Sequence, residues 1–188
     1  MRNKIFICGL LLSQLAYSQS IVDIKERMRI RLASQDKWHT VIMMEDLSLE
    51  GDNGMTWRNN TESYMIEIEF DPNGASEFGV RVLLKENLNQ EAIVGYQLNN
   101  EQLYINSIHA GRNDAVNILG MWVIPMKTDR GRVKMQIFVD KTSVEVFGND
   151  GEARLISRVF PEENSTDWQV FSNGRAKVTK LVVWEQSN

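Results

Sequence analysis

Thiols and imidazoles are nearly absent from this sequence. Cys8 is the only cysteine among 188 residues, and the two histidines, His39 and His109, are far apart in the chain. Because Cys8 lies in an N-terminal apolar run, the rest of the chain has no thiol for a disulfide, a thiolate metal site or a cysteine nucleophile. Two distant histidines do not favour a histidine-rich metal site or a Ser–His–Asp triad either. We therefore expect neither a metal nor a cofactor.

Positive charge is also scarce. The chain has 21 Lys and Arg against 25 Asp and Glu, which gives a formal net charge of -4. A nucleic-acid surface requires a basic face, so this balance argues against a nucleic-acid partner. Apolar residues make up 43% of the chain and charged residues 24%. These fractions are typical of a folded globular protein, and the length suits one domain with a substantial core.

Long apolar runs are absent except near the N-terminus. Arg2 and Lys4 precede a run at residues 5–12, and the small residues Ala16 and Ser18 follow it. This order is that of a secretory signal peptide cut after Ser18, and the run is too short to cross a bilayer. A membrane anchor or a buried first strand would be the alternatives. We expect a secreted or periplasmic protein that has no membrane contact in its mature form.

Apolar and polar residues alternate with a period of two over much of the remaining chain. Side chains one residue apart point to opposite faces of a strand, so this alternation predicts half-buried strands. The clearest segments are residues 64–70, 78–84 and 133–139, and residues 178–184 are rich in β-branched and aromatic residues. In the second of these, the alternation places Leu84 on the apolar face and Leu83 on the other.

Many short strands, frequent turn residues and no clear long helix predict an all-β fold. We expect a sandwich of two antiparallel sheets, similar to concanavalin-like or jelly-roll folds. Residues 21–32 are compatible with either a charged helix or a strand. The chain then divides into a signal peptide at 1–18, an N-terminal linker or edge segment at 19–46, and a sandwich at 47–188.

Residues 136–151 contain the most specific local pattern, a hairpin with Lys141 and Thr142 at its tip. One face of this hairpin is apolar and is predicted to be core, and the other carries Glu145. A slip of one residue would bury Glu145 and expose the valines, so the register is fixed. The predicted cross-strand pairs are Val139–Val144, Phe138–Glu145, Ile137–Val146 and Gln136–Phe147.

This stretch reads Q-I-F-V-D-K-T-S-V-E-V-F-G-N-D-G. It resembles the signature strand pair in the C-terminal sandwich of family 32 glycoside hydrolases, the group of invertases, inulinases and levanases. The family run is typically I-F-V-D-R-S-S-V-E-V-F, so Lys141 and Thr142 are mild departures. Further matches follow in the family's order at residues 63–72, 75–82, 94–96 and 160–161. The resemblance covers roughly residue 47 to the end, and it implies the same sandwich fold.

The resemblance implies no catalytic residues in this chain. Family 32 enzymes use two carboxylates on a five-bladed propeller that precedes the sandwich. Residues 71–74 spell the D-P-N-G of the family's nucleophile motif W-M-N-D-P-N-G, but Glu69 and Phe70 precede them, and we interpret them as a turn. The family's R-D-P and Glu-Cys do not occur, and a propeller of roughly 300 residues has no room here. The chain by itself is predicted to be non-catalytic.

Exposed aromatic rings are candidates for ligand contact, because the C–H faces of sugars stack on them. Trp57 and Trp122 lie next to predicted loops and are candidates for glycan or partner contact. Trp168 and Trp184 lie in predicted strands and are expected in the core.

Phe138, Glu145 and Phe147 form a second candidate contact surface, because two phenylalanines opposite the core valines require cover. Burying each ring contributes about 2 kcal/mol. The cover is either the chain itself, through the other sheet or residues 21–50, or a partner that replaces the catalytic domain. In the second case Glu145 would pair with a base at the partner's rim.

Three functions remain open. In the first, the chain is an exported accessory module of fructan utilisation, which either binds a fructan or other oligosaccharide or docks to a catalytic hydrolase subunit. In the second, it is a hydrolase-family member that is inactive alone. In the third, it is a structural exported protein without a glycan ligand. In the family the sandwich packs against the propeller, so a free copy would expose a formerly covered surface. An exposed apolar patch would favour docking, and a groove with Trp and polar side chains would favour sugar binding.

Overall fold

The computed structural model describes residues 38–51, 54–85, 89–112 and 119–186. The predicted signal peptide at 1–18 and the ambiguous segment at 21–32 lie outside these ranges. Two 3₁₀ turns, Leu98–Asn100 and Asn149–Gly151, occur in the described residues. These residues also form the strands β1 (Trp38–Met44), β2 (Leu47–Leu49), β3 (Met55–Trp57), β4 (Tyr64–Asp71), β5 (Glu77–Leu84), β6 (Ala92–Gln97), β7 (Gln102–Asn106), β8 (Met121–Pro125), β9 (Val133–Asp140), β10 (Ser143–Gly148), β11 (Ala153–Arg158), β12 (Asp167–Ser172) and β13 (Ala176–Gln186).

The strands pair into two antiparallel sheets, which confirms the predicted all-β sandwich. The first sheet has the order β1-β13-β4-β9-β10-β11, and β2 also pairs with β13. The second sheet has the order β3-β12-β5-β6-β7-β8. At one side of the first sheet, Trp38 of β1 pairs with Gln186 of β13.

The core lies between the sheets and is filled by alternate side chains of each strand. Phe70 of β4 meets Phe78 of β5 with ring centroids 4.8 Å apart, and Phe78 meets Tyr96 of β6 at 5.7 Å. These distances are typical of favourable aromatic pairs, and the Phe70–Phe78 contact joins the two sheets. The hydroxyl of Tyr96 donates to the carbonyl oxygen of Met126 at 2.7 Å, so its buried polar end is satisfied.

The predicted hairpin is confirmed in its register. Strands β9 and β10 meet in the pairs Val139–Val144, Phe138–Glu145, Ile137–Val146 and Gln136–Phe147. The valine face belongs to the buried core, as predicted. The two-residue tip and the alternating pattern were therefore sufficient to define this part of the fold.

The D-P-N-G segment is a turn between β4 and β5, as interpreted from the sequence. The Ala75 N–H donates to the carbonyl oxygen of Pro72 at 2.8 Å. The two residues between them, Asn73 and Gly74, have φ angles of 39° and 108°. Positive φ at both central positions is the requirement of a tight type I′ turn, which here leads from the first sheet to the second, and Asn and Gly meet it at low cost.

The alternation in β5 breaks at its end, contrary to the prediction. Leu83 is buried in the core, whereas Leu84 is only partly buried. The pairing of β5 with β12 shifts between Asp167 and Gln169, and Leu83 has a φ of 60°. An extra residue in one strand reverses the faces beyond it, so this bulge turns Leu83 inward. The Nε2 of Gln90 donates to the Leu83 carbonyl oxygen at 3.1 Å and holds the irregular backbone.

Candidate functional site

The outward face of the first sheet brings three predicted contact residues together. Phe138 and Phe147 meet edge to face, with ring centroids 5.7 Å apart. Arg154 of β11 lies over the Phe147 ring at 5.5 Å from its centroid, and its Nε donates to Glu145 Oε1 at 2.6 Å. A base of the chain itself therefore pairs with Glu145. This is the role that the partner hypothesis assigned to another protein.

Phe147 is 1% exposed, so its ring is covered in this structure. The second sheet packs on the opposite, valine face of the hairpin and is not that cover. Residues 21–37, part of the segment expected to cover this face, lie outside the described residues. The contact role of Phe138, Glu145 and Phe147 stays a prediction, and burial leaves little of their surface available to a partner.

Trp184 also lies on the outward face, contrary to its predicted place in the core. It pairs with Met65, whereas Leu181 and Val183 point inward. The pairing of β13 with β4 shifts between Val178 and Lys180, which leaves Thr179 as an extra residue. This bulge reverses the faces of the rest of β13. The prediction for Trp168 is correct, because that side chain is fully buried.

A nearby carboxylate on the same outward face, Glu67 of β4, is held by two neighbouring strands. Gln136 Nε2 donates to its Oε2 and Lys180 Nζ donates to its Oε1, each at 2.7 Å. Burial alone would raise the pKa of Glu67. The hydrogen bonds from Lys180 and Gln136, together with the charges of Lys134 and Lys180, outweigh burial and lower this pKa below its usual value of 4.5. Glu67 is therefore a fixed anion that links β4, β9 and β13.

This lowered pKa predicts a loss of stability in acid. A depressed pKa in the folded state stabilises the fold above the unfolded value, and the contribution is lost as the pH falls through the folded value. The free energy of unfolding should therefore decrease below pH 4.5. In the Glu67→Gln variant, this free energy should fall less steeply with pH than in the native protein. Urea unfolding at pH 7 and at pH values below 4.5 measures this difference. The exposed control Glu50→Gln should retain the native slope, and equal slopes for Glu67→Gln and the native protein would contradict the prediction.

Trp57 and Trp122 are not brought together, because β3 and β8 are the two edges of the second sheet. Trp57 stacks on Trp168 with ring centroids 4.3 Å apart and an interplanar angle of 13°, and it packs against the core. Trp122 is 48% exposed. Of the two tryptophans, Trp122 offers the accessible ring.

Trp122 is one of several exposed apolar side chains along one side of the sandwich. Met121 and Val123, its neighbours in β8, are also exposed. Strand β11 ends the first sheet on the same side, lies against β8, and exposes Ile156. We call these four residues the β8–β11 surface. Sequence reasoning found only Trp122, although an uncharged stretch at residues 115–126 marks β8 as unusual.

A polar groove lies near the tip of the β9–β10 hairpin. It consists of two cavities of about 450 and 410 Å³ that share Glu62, Lys141 and Asn164. We call it the hairpin-end groove. Sequence reasoning missed it because its walls come from segments that are distant in the chain. The unshared lining residues are Leu83, Pro161, Glu162, Glu163 and Ser165 in the first cavity and Asn60, Thr61, Ser63, Thr166 and Gln186 in the second.

A third cavity, of about 360 Å³, is lined mainly by charged side chains. Two ion pairs cross it, Arg132–Glu69 and Lys134–Asp150, each at 2.8 Å.

Within the described ranges, no group of three His, Cys, Asp or Glu side chains is placed to hold a metal ion. No helix in the same residues is long and apolar enough to cross a membrane.

A family model matches most of the chain. The model for the C-terminal domain of glycosyl hydrolases family 32 aligns with residues 27–185. The chain belongs to this family. The resemblance seen in the hairpin and its flanking motifs is thereby confirmed, and the family 32 sandwich accounts for both sheets.

Curated relatives of this family 32 domain are much longer proteins. The levanase of Bacillus subtilis (strain 168) is 35% identical over 168 residues, which cover 85% of this chain and 23% of the levanase. The extracellular exo-inulinase of Aspergillus awamori is 29% identical over 116 residues, which cover 60% of this chain and 22% of that enzyme. The chain thus spans about a quarter of the length of these relatives.

Solved structures of family 32 enzymes share the fold. The exo-inulinase from Aspergillus awamori superposes with a TM-score of 0.64 at 24% identity, over 80% of this chain and 29% of that one. Fructan 1-exohydrolase IIa from Cichorium intybus superposes with a TM-score of 0.68 at 12% identity, over 81% and 36% of the two chains. At such identities the likeness shows the fold alone.

Proposed function

We propose that this family 32 domain is an exported, non-catalytic accessory module in fructan utilisation, and that it docks to a catalytic domain of the same family. The β8–β11 surface carries this proposal. Its exposed methionine, tryptophan, valine and isoleucine side chains lie along the side of the sandwich where β8 and β11 meet, with Trp122 on the opposite face of β8 from Met121 and Val123. Exposed apolar surfaces of this kind are typical of protein interaction sites, and aromatic and methionine side chains are enriched in them.

The partner follows from the relatives. This chain covers only 23% of the Bacillus subtilis levanase and 22% of the Aspergillus awamori exo-inulinase. Their remaining length is where the family resemblance places the catalytic propeller. A catalytic domain is therefore the occupant that we assign to the β8–β11 surface. Export agrees with the signal-peptide pattern at residues 1–18 and with relatives that are named extracellular.

Crosslinking from β8 tests this docking. We expect the photoreactive residue p-benzoylphenylalanine, placed at Trp122 in the native host, to crosslink to a family 32 catalytic domain identified by mass spectrometry. The matched control is the same residue at Met55, which is an exposed apolar position on the opposite edge of the second sheet. Equal yields from both positions, or crosslinks from Trp122 only to unrelated proteins, would contradict the proposal.

Glycan binding is the second candidate function. The hairpin-end groove favours it, because amide and hydroxyl side chains dominate one of its cavities. These groups donate and accept hydrogen bonds at neutral charge, as recognition of sugar hydroxyls requires. The expectation of a tryptophan in such a groove is not met by its lining residues, which include no aromatic side chain.

A further inference from the structure

We infer that the hairpin-end groove binds a stretch of a neutral fructo-oligosaccharide longer than one sugar unit. This inference rests on the glycan-binding candidate and deepens it by assigning the surface and the form of the ligand. The groove comprises two cavities, of about 450 and 410 Å³, joined at Glu62, Lys141 and Asn164. Each volume lies within the range of about 300–1,000 Å³ that is typical of small-ligand sites. Two adjoining sites of this size suit consecutive units of a chain.

The groove has hydrogen-bonding capacity that the protein does not use. Asn60, Asn164 and Gln186 line the second cavity. Among the described residues, their side-chain amides make no hydrogen bond to another side chain. Each amide offers two donors and one acceptor oxygen. A polyhydroxylated ligand could use these groups without breaking any contact of the fold.

Two of the four charged side chains of the groove, Lys141 and Glu62, are paired with each other. Lys141 Nζ lies 3.0 Å from Glu62 Oε2, at the junction of the two cavities. The Ser63 hydroxyl donates to Asp140 Oδ1 at 2.9 Å, which ties the hairpin tip to the opposite wall. Fixed side chains lose little conformational freedom when a ligand binds, and this favours affinity. The carboxylate of Glu62 can accept hydrogen bonds from neighbouring sugar hydroxyls while it remains paired with Lys141.

The loop that forms the far wall is also held in place. The Glu162 N–H donates to Gln90 Oε1 at 3.0 Å, and the same Gln90 side chain holds the Leu83 bulge. The Ser165 hydroxyl donates to the Glu162 carbonyl oxygen at 2.6 Å. The Gln90 side chain therefore joins the Leu83 bulge, which borders the first cavity, to the loop that contains Glu162.

The charge of the groove argues against an anionic ligand. Its walls carry three carboxylates, Glu62, Glu162 and Glu163, and one cation, Lys141. An anion such as a phosphorylated sugar would be repelled. The cavity lined by Arg132 is the main alternative site for a sugar, but its ion pairs engage most of its charged groups with each other. The fructan class of the ligand follows from the levanase and inulinase relatives.

Isothermal titration with fructose and with β-2,6-linked fructose oligomers of two and four units tests this inference. We expect affinity to rise about tenfold or more from fructose to the tetramer, which corresponds to 1.4 kcal/mol. The double variant Asn164→Gly, Gln186→Ala should lose at least that factor and keep its melting temperature. Glycine is the replacement for Asn164 because its φ of 63° disfavours a side chain with a Cβ.

Two controls separate the outcomes. Asn73→Gly removes the same amide from another left-handed position outside the groove and should bind normally. Asp150→Gly tests the charged cavity, and a loss of affinity in this variant alone would overturn the assignment. Binding that survives the double variant, or equal affinity for fructose and the tetramer, would reject the groove and leave the glycan-binding candidate standing. If none of the sugars binds, both the groove inference and the glycan-binding candidate are rejected, and the docking proposal is unaffected.

Discussion

Replacing Phe147 with serine is expected to lower the melting temperature by roughly 6–20 °C, which corresponds to a loss of about 3–5 kcal/mol in a domain of this size. Phe147 is 1% exposed and contacts both Phe138 and Arg154. Its truncation removes the ring on which the Arg154 guanidinium lies, and that guanidinium pairs with the buried carboxylate of Glu145. The loss therefore includes packing and the support of an ion pair. Differential scanning calorimetry measures the change.

Ile156→Ser is the matched control for this experiment. Ile156 lies on the same outward face and pairs with Glu145, but it is 52% exposed. Its replacement should change stability by no more than about 0.5 kcal/mol. An unchanged melting temperature for Phe147→Ser would show that this face relies on a partner for its cover, and the docking site would then have to be moved from the β8–β11 surface.

Gly111→Ala is expected to destabilise the domain by about 3 kcal/mol or more, as the sum of backbone strain and overpacking. Gly111 has a φ of 117°, and a Cβ at this position would lie 1.7 Å from the carbonyl oxygen of Phe160. That oxygen cannot move away freely, because it accepts a hydrogen bond from the Arg112 N–H at 3.1 Å. Urea denaturation of the variant measures the loss.

Two other glycines separate the causes of this effect. Gly131 also has a positive φ, of 79°, but no atom lies within 4 Å of a Cβ built there. Gly120 has neither the positive φ nor a contact closer than 3.9 Å. We expect the destabilisation to increase in the order Gly120→Ala, Gly131→Ala, Gly111→Ala. If Gly111→Ala and Gly131→Ala lose equal stability, the close approach to Phe160 has no energetic role.

Local alternation was sufficient for some parts of the fold and insufficient for others. The β9–β10 hairpin followed from its own residues, because a short tip and two valine-bearing strands allow one register. The orientations of the Leu83 and Trp184 side chains could not be predicted from local alternation, because each lies beyond a shift in strand pairing. Such a shift depends on the partner strand, which is more than 80 residues away for Leu83 and therefore invisible to a local pattern.

The candidate site shows the same limit. Trp122 was identified because tryptophan is itself a signal of contact, but Ile156 joins it only through the meeting of β8 and β11 at one side of the sandwich. The hairpin-end groove has no sequence motif at all. Asn60, Lys141 and Asn164 are ordinary turn or surface residues in the sequence, and only the fold places them around one cavity.

The pairing of Trp38 with Gln186 determines how this sandwich responds to mechanical force. A pull on these two positions acts across the first rung of the antiparallel β1–β13 ladder. The rungs are then loaded one after another, as in a zipper, rather than all together in shear. Among the strands that the structure describes, β1 is also an edge strand with no second neighbour in its sheet, so it can peel away while the others stay paired. Under tension applied at these points, the module should yield first at β1 and transmit little load to the core.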